Sequence, residues 1–599
     1  MPQAIRDHAL IGDLRCAALV AKDGCIDWFC APRFDSPACF TALLGEPKHG
    51  CWQLGPVDEV VEVDRRYIAD TLVLQTEMGT AAGRIRITDL MPLGGDIGIL
   101  RLVDGLAGEV DVRSVCTPSF HFGSCTTEPT VIEDGVMVAN EDQRLILRSD
   151  CSLEIDGPSI VSQFRLKEGE RRQFFLCHAS AHDEPALNPE AQPALDGCVD
   201  WWRDWVSQCS YQGRWRDAVV RSLITLKALT HAPSGGIVAA PTTSLPEAPG
   251  GTANWDYRFC WIRDTVLALD VFLDSNYLGE AQAWRDWLLQ LMERTRGEIR
   301  VLYDVAGQDT PAESELDWLP GYGGARPVRA GNAASEQHQL DVFGQLMDLL
   351  HSGRRSGMQT RADTWARQCE LIDRVLRSWR EPDEGIWELR GEPRHYTHSR
   401  VYAWVALDRS IRDAEAFGLP APLEDWYAAR DAIHHDVCTR GIDPTRGAFK
   451  QSYEEAIPDA SLVMIPLLGF LPVDDERVQA TLKWVREELC NGALVYRFPA
   501  RQGYDGPEGA FLACSFWLID TMLLEKRDAE AEALFERVLQ LRNDVGLLAE
   551  EYHPEHGMLG NFPQALSHLA LVKTAYFIDA CTQAHRGGRP ERFSYKPML

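Results

Sequence analysis

At 599 residues the chain is too long for one hydrophobic core, so two or more domains are expected. Its 45% hydrophobic and 25% charged residues are those of a globular protein in water, and no apolar run reaches the roughly 18 residues a membrane span needs. A formal net charge of -29 excludes binding to nucleic acid or an anionic membrane and favours a neutral or cationic ligand.

The opening stretch, MPQAIRDHAL, is polar and carries no basic segment followed by an apolar one, so no export signal is expected. Seventeen cysteines, an odd number without CxxC spacing, read as reduced and mostly buried thiols. Both features point to the cytoplasm. Residues 1–205 alternate apolar and polar positions in short segments: Thr71–Leu74, Arg84–Ile87, Gln143–Leu147 and Gln173–Leu176. Turn residues recur about every ten positions, and Asp23-Gly24 sits between Ala17–Ala21 and Cys25–Phe29. An antiparallel β-sandwich is predicted for this part.

Near Trp201 the period changes from two to between three and four, as in Val219, Leu223, Leu226 and Leu229. About twelve helices are predicted from there on, beginning near Trp215, Asp264, Gly279, Ala333, Arg361, His398, Leu423, Asp459, Asp475, Gly509, Asp528 and Gln564. The gaps alternate between roughly two to nine residues and roughly 18 to 37. Helices that alternate in direction put every long gap on one rim. The expectation for residues 206–599 is an (α/α)6 toroid whose long loops build a site. The last helix is expected to end near His585 and to leave a short polar tail, with no low-complexity linker or carbohydrate-binding module after it.

The residues suited to chemistry cluster in those loops. Glu388 follows Ile386-Trp387, and Glu550 and Glu551 precede Tyr552; the two loops lie on opposite sides of a six-pair ring. One protonated carboxyl for a leaving oxygen and one carboxylate for a water, about 6.5–9.5 Å apart, are what inverting hydrolysis of a glycosidic bond requires. The aromatic and apolar flanks could shift both carboxyls. The run Asn254–Asp264 offers Tyr257, Trp261, Arg263 and Asp264. Arg263 and Asp264 could clamp vicinal hydroxyls over an aromatic floor, or Asp264 could simply cap a helix. Trp318, in Asp317–Gly324, and Arg497, in Tyr496–Pro499, complete the rim.

Trp261-Ile262-Arg263-Asp264, Ile386-Trp387-Glu388, Arg497-Phe498-Pro499 and Ala549-Glu550-Glu551-Tyr552, in that order, resemble glycoside hydrolase family 15 over nearly the whole chain. The resemblance implies Glu388 as general acid, after its Trp387, and Glu550 as general base, with Glu551 beside it. It implies Arg263 and Asp264 on the terminal glucose with Trp261 next to them, Arg497 near the first two sugar subsites, and Tyr257 at the nucleophilic water. Leu389 departs from the Trp-Glu-Glu of many glucoamylases, which disfavours starch. The expected activity is inverting, exo-acting hydrolysis of a small neutral α-glucoside, with α,α-trehalose ahead of isomaltose or maltodextrin, and without cofactor or metal. A disaccharide phosphorylase, needing one carboxyl and an anion pocket, is the rival. Assembly into a homo-oligomer is left open by the sequence.

Overall fold

The computed structural model describes residues 3–183, 187–295, 298–355, 362–499 and 508–585. The opening hairpin forms where its Asp-Gly turn requires, with Ala17–Ala21 antiparallel to Cys25–Cys30. Strands Gly83–Leu90, Gln143–Ser149 and Arg171–Ser180 contain three of the four alternating segments. The fourth is displaced. Thr71 turns back on the Ile68 carbonyl, and the strand begins only at Leu74, running to Gly79.

One 20-residue strand, Gly98–Thr117, holds the sandwich together. Its first half pairs with Gly83–Leu90 and Arg171–Ser180, its second half with Cys51–Pro56 and Ser159–Lys167. At the change-over Gly108 takes φ +69°, and a Cβ there would stand 2.3 Å from the Ala82 carbonyl oxygen. Only glycine allows that bend, so the strand passes from one sheet to the other unbroken. Trp28, Trp52, Leu100, Leu102, Val112 and Phe174 are buried within it.

Thirteen helices follow among the described residues: α1 Ala191–Val206, α2 Arg216–Ala228, α3 Ile262–Asp274, α4 Leu278–Thr295, α5 Asp341–Arg355, α6 Ala362–Ser378, α7 Thr397–Phe417, α8 Leu423–Arg440, α9 Met464–Leu467, α10 Glu476–Glu488, α11 Leu512–Leu524, α12 Asp528–Leu539 and α13 Ala565–His585. Helix α1 was not anticipated. Arg171 of the sandwich donates to its Gln192 at 2.8 Å, while its Trp205 stacks on Tyr277 with ring centres 4.1 Å apart. The other twelve are the predicted set, with two corrections. Ala333–Glu336 is a 3-10 turn capped by Asn332, and α5 starts at Asp341. The helix expected from Asp459 is a 3-10 turn, Ala460–Val463, running into the four-residue α9. The expected start at Arg361 and the tail beyond His585 lie outside the described residues.

Helices α3, α5, α7, α9, α11 and α13 form the inner ring. Asp270, Gln345, Tyr402, Met464, Asp520 and Lys573, one from each, line a single cavity on its axis. These are the helices that the long loops enter, so every long loop sits at an inner-helix N-terminus. Short ladders stiffen those loops. Cys260–Trp261 pairs with Leu302–Tyr303, and Ala510–Phe511 pairs with Glu551–His553, which pairs with Gly557–Leu559. No helix among the described residues is long and apolar enough to cross a membrane.

The sandwich grips the loop rim directly. Trp28 Nε1 donates to the Pro241 carbonyl at 2.7 Å, and Arg258 Nη1 to the Ser36 carbonyl at 2.6 Å. On the other flank Asn543 Nδ2 donates to the carbonyls of Arg6 (3.1 Å) and His8 (2.8 Å), and Arg65 pairs with Asp544 at 2.6 Å.

Candidate active site

A cavity of about 590 Å³, counting its mouth, opens among the long loops. Tyr257, Arg263, Trp387, Glu388 and Arg497, all singled out from the sequence, line it. So do Glu247, Trp255, Asn332, Arg390, Phe511, Trp517 and Leu566. Trp517 and Leu566 also line the axial cavity below, so they form the floor between the two spaces.

Glu388 stands on a tight turn. Its backbone is left-handed, φ +56°, a conformation that costs an L residue about 1–3 kcal/mol. Glu388 N–H bonds to the Gly385 carbonyl at 3.2 Å, and Gln337 Nε2 bonds to the Glu388 carbonyl at 3.2 Å, so both sides of the peptide are held. The side chain is thereby aimed at α3. Its Oε1 accepts from Trp261 Nε1 at 2.7 Å and lies 3.4 Å from Arg263 Nη1. Burial pushes the Glu388 carboxyl above the ordinary glutamate range, against the opposing pull of Arg263 and the Trp261 N–H. Arg263 also donates to the Ile386 carbonyl at 2.9 Å, tying α3 to the same turn. Neighbouring Trp387 donates its indole N–H to both oxygens of the buried Asp459, at 3.0 and 2.9 Å, and packs against Phe511 and Trp517.

Glu550 is fully buried. Its Oε2 accepts from the Asn561 backbone N–H at 3.1 Å, and its Oε1 has no hydrogen-bond partner among the described residues. Gly560, at φ +71°, makes room, since a Cβ there would lie 2.4 Å from Oε2. Burial and the nearby Glu247 carboxylate raise the Glu550 pKa, while the Tyr257 hydroxyl favours the charged form. Burial, with the fields of Glu550, Glu247 and Glu388, pushes the Tyr257 hydroxyl well above its ordinary range. Its ring packs edge-on to Trp261 at 5.1 Å.

Arg497 is the cation of a dense acidic group. It pairs with Glu247, with Glu508 at 2.7 Å and with Glu551 at 3.2 Å. Oxygens of these three carboxylates lie within 4.8 Å of one another, the one such group among the described residues. The guanidinium among them supplies the counter-charge a metal ion would otherwise bring. Glu551 is fully buried, and burial drives its carboxyl well up.

Trp261, Asp264, Glu550 and Glu551, also expected at the site, are buried and are not among the residues that line the cavity. Two further expectations change. Asp264 is buried and bonded by Arg263 Nε at 3.3 Å, but it is not a cap: α3 begins after Trp261 with no side-chain cap. Trp318 is not brought to the cavity. It is 45% exposed and gives its indole N–H to the Phe122 carbonyl of the sandwich at 2.9 Å. Glu247 was missed. Its only signal is a carboxylate in the Pro246-Glu247-Ala248-Pro249-Gly250-Gly251 run of a long loop.

A polar pocket closed at its base, flanked by aromatics and carboxyls on an (α/α)6 ring, has the composition of an enzyme's active site. The sequence model of "Glycosyl hydrolases family 15" matches residues 213–576, and "Trehalase-like, N-terminal" matches residues 1–159. A trehalase of Mycolicibacterium smegmatis is 35% identical, covering 96% of this chain and 91% of its own. A trehalase of Thermoplasma acidophilum is 35% identical, covering 93% and 97%. The crystal structure of a bacterial glucoamylase complexed with acarbose superposes with a TM-score of 0.75 at 12% identity, over 97% of this chain and 94% of that one. The chain belongs to glycosyl hydrolases family 15 and is a glycoside hydrolase.

Proposed function

We propose that the protein hydrolyses α,α-trehalose with inversion, releasing one glucose as the β-anomer and the other as leaving group. The observation that carries this reading is the pocket: closed below, with Glu388 held by Trp261 and Arg263 on one wall and Tyr257 in the lining, behind which Glu550 is buried. The full-length relatives named above as trehalases support the choice of sugar.

The terminal glucose enters first and rests against Arg263 and Trp387. Glu388 gives its proton to the glycosidic oxygen as the bond to the anomeric carbon breaks. Glu550 takes a proton from the attacking water, which Tyr257 orients, and a new C–O bond forms on the opposite face. Arg497, balanced by Glu247, Glu508 and Glu551, fixes the wall between the acid and base loops. The division into a sandwich domain, 1–205, and a catalytic domain, 206–599, falls at the end of α1. A cytoplasmic location fits seventeen cysteines, all of them free thiols.

The test is stereochemical. Proton NMR in the first minutes of trehalose hydrolysis should show β-glucose before mutarotation; α-glucose first, or glucose 1-phosphate formed with added phosphate, would overturn the reading. A further expectation concerns Arg263→Ala. Removing a buried donor to the terminal sugar should cut kcat/KM about tenfold or more on every α-glucoside alike, α-glucosyl fluoride included. Steady-state kinetics on both substrates checks it.

A further inference from the structure

The pocket has a built mouth whose residues the mechanism leaves unused. Its floor is closed by Trp517 and Leu566, both buried, so the bond at Glu388 separates a deep sugar from an outer one. Trp255, Asn332 and Arg390 line the same cavity as Glu388, and Arg390 follows Glu388 by two residues in sequence. Its side chain, one-third exposed, is therefore beside the group that would protonate the departing sugar.

Arg390 is fixed there. Nη2 donates to Glu313 Oε2 at 2.9 Å and to Asn332 Oδ1 at 3.2 Å. Its guanidinium carbon lies 4.6 Å from the centre of the Trp255 ring, and that of Arg329 lies 4.4 Å from the same ring. Glu313 ties the two arginines together, with Oε1 3.4 Å from Arg329 Nε. The arrangement is linked to the base loop as well, because Asn561, whose N–H holds Glu550, donates Nδ2 to the Trp255 carbonyl at 3.0 Å.

Of the five N–H donors of a guanidinium, the two on Nη2 are engaged, whereas Nε and Nη1 of Arg390 have no partner among the described residues. Its side chain is one-third exposed, at 33%. A rigid fork of free donors beside a scissile bond suits vicinal hydroxyls. Meanwhile two guanidinium groups lie within 4.6 Å of the centre of the Trp255 ring, which leaves less of it to stack a longer glucan.

We propose that Arg390, held by Glu313 and Asn332 over Trp255, binds the departing glucose and confines the enzyme to disaccharides. The proposal rests on the trehalase reading. The experiment compares trehalose with α-glucosyl fluoride, whose leaving group is one atom and does not reach the mouth. Arg390→Ala should lower kcat/KM on trehalose about tenfold to a hundredfold and leave the fluoride within about twofold. Its rate on maltotriose relative to trehalose should rise. Arg390→Lys, which keeps the charge at Glu313 but not the fork, should behave like the alanine variant on trehalose and guards against a folding artefact. Equal losses on both substrates, or an unchanged trehalose rate, would overturn the assignment. If the wild-type enzyme ignores trehalose and cleaves another α-disaccharide, the trehalase reading falls. The ratio of that disaccharide to the fluoride in Arg390→Ala then decides the role of Arg390 by the same criterion.

Discussion

Glu388→Gln is expected to lower kcat on trehalose by about 10²–10⁴-fold, the usual worth of a general acid. The amide fits the same turn and still accepts from Trp261, whose N–H lies 2.7 Å from Oε1, so substrate should bind nearly as before. What it lacks is the proton. Arg263 and Trp261, which face the same oxygen, do not replace it, since neither releases a proton at neutral pH. Fluoride departs with far less help, so α-glucosyl fluoride should retain much of its wild-type rate. Kinetics on the two substrates, with KM for trehalose nearly unchanged, checks this. A Gln variant that turns over trehalose normally would remove Glu388 from the role.

Glu550→Gln is expected to lose activity on a similar scale, on the fluoride as well as on trehalose, because the water then has no base whatever the leaving group. Here a stability gain should accompany the loss. Burial and the Glu247 carboxylate raise the pKa of Glu550 in the folded protein. The native state therefore holds that proton to a higher pH than the unfolded chain does. The contribution of the group to stability is full below the ordinary glutamate range and is lost as pH rises through the raised native value. Glutamine does not ionise, so its advantage in melting temperature should be near nil at about pH 4 and grow towards about pH 8. Thermal unfolding across that range measures it. A difference that shrinks as pH rises would contradict the burial argument.

Much of the fold was legible because it follows from period and spacing. Val219 to Leu229 marks a buried stripe, and alternating gap lengths reveal a ring even without its dimensions. The failures have physical causes. Proline at position 466 and the left-handed Gly469 cut α9 to one turn, although the surrounding residues are apolar enough for a longer helix. Thr71 sits in an alternating segment but closes a turn through its hydroxyl on the Ile68 carbonyl at 2.8 Å, a local bond that no periodicity reports. In the site, residues with a chemical neighbour in sequence were found: Trp387 beside Glu388, Arg263 beside Asp264. Trp255 and Arg390 lie two residues from Tyr257 and Glu388, but Glu247 and Asn332 join them only through contacts between distant loops, so spacing along the chain says nothing of those two. Trp318 shows the converse. Its loop is on the rim, but its indole faces the sandwich.

The grip of the sandwich on the rim bears on how such a chain can diverge. The loop leading to Glu550 is pinned at Asn543 and Asp544 by Arg6, His8 and Arg65, and the loop leading to Tyr257 is pinned at Pro241 and Arg258 by Trp28 and Ser36. Anchored from behind, neither loop has slack to absorb an added or deleted residue without moving its functional side chain. A change of length at these two places would therefore displace Glu550 or Tyr257, whereas a point replacement in the cavity lining, as at Arg390, leaves both anchors in place.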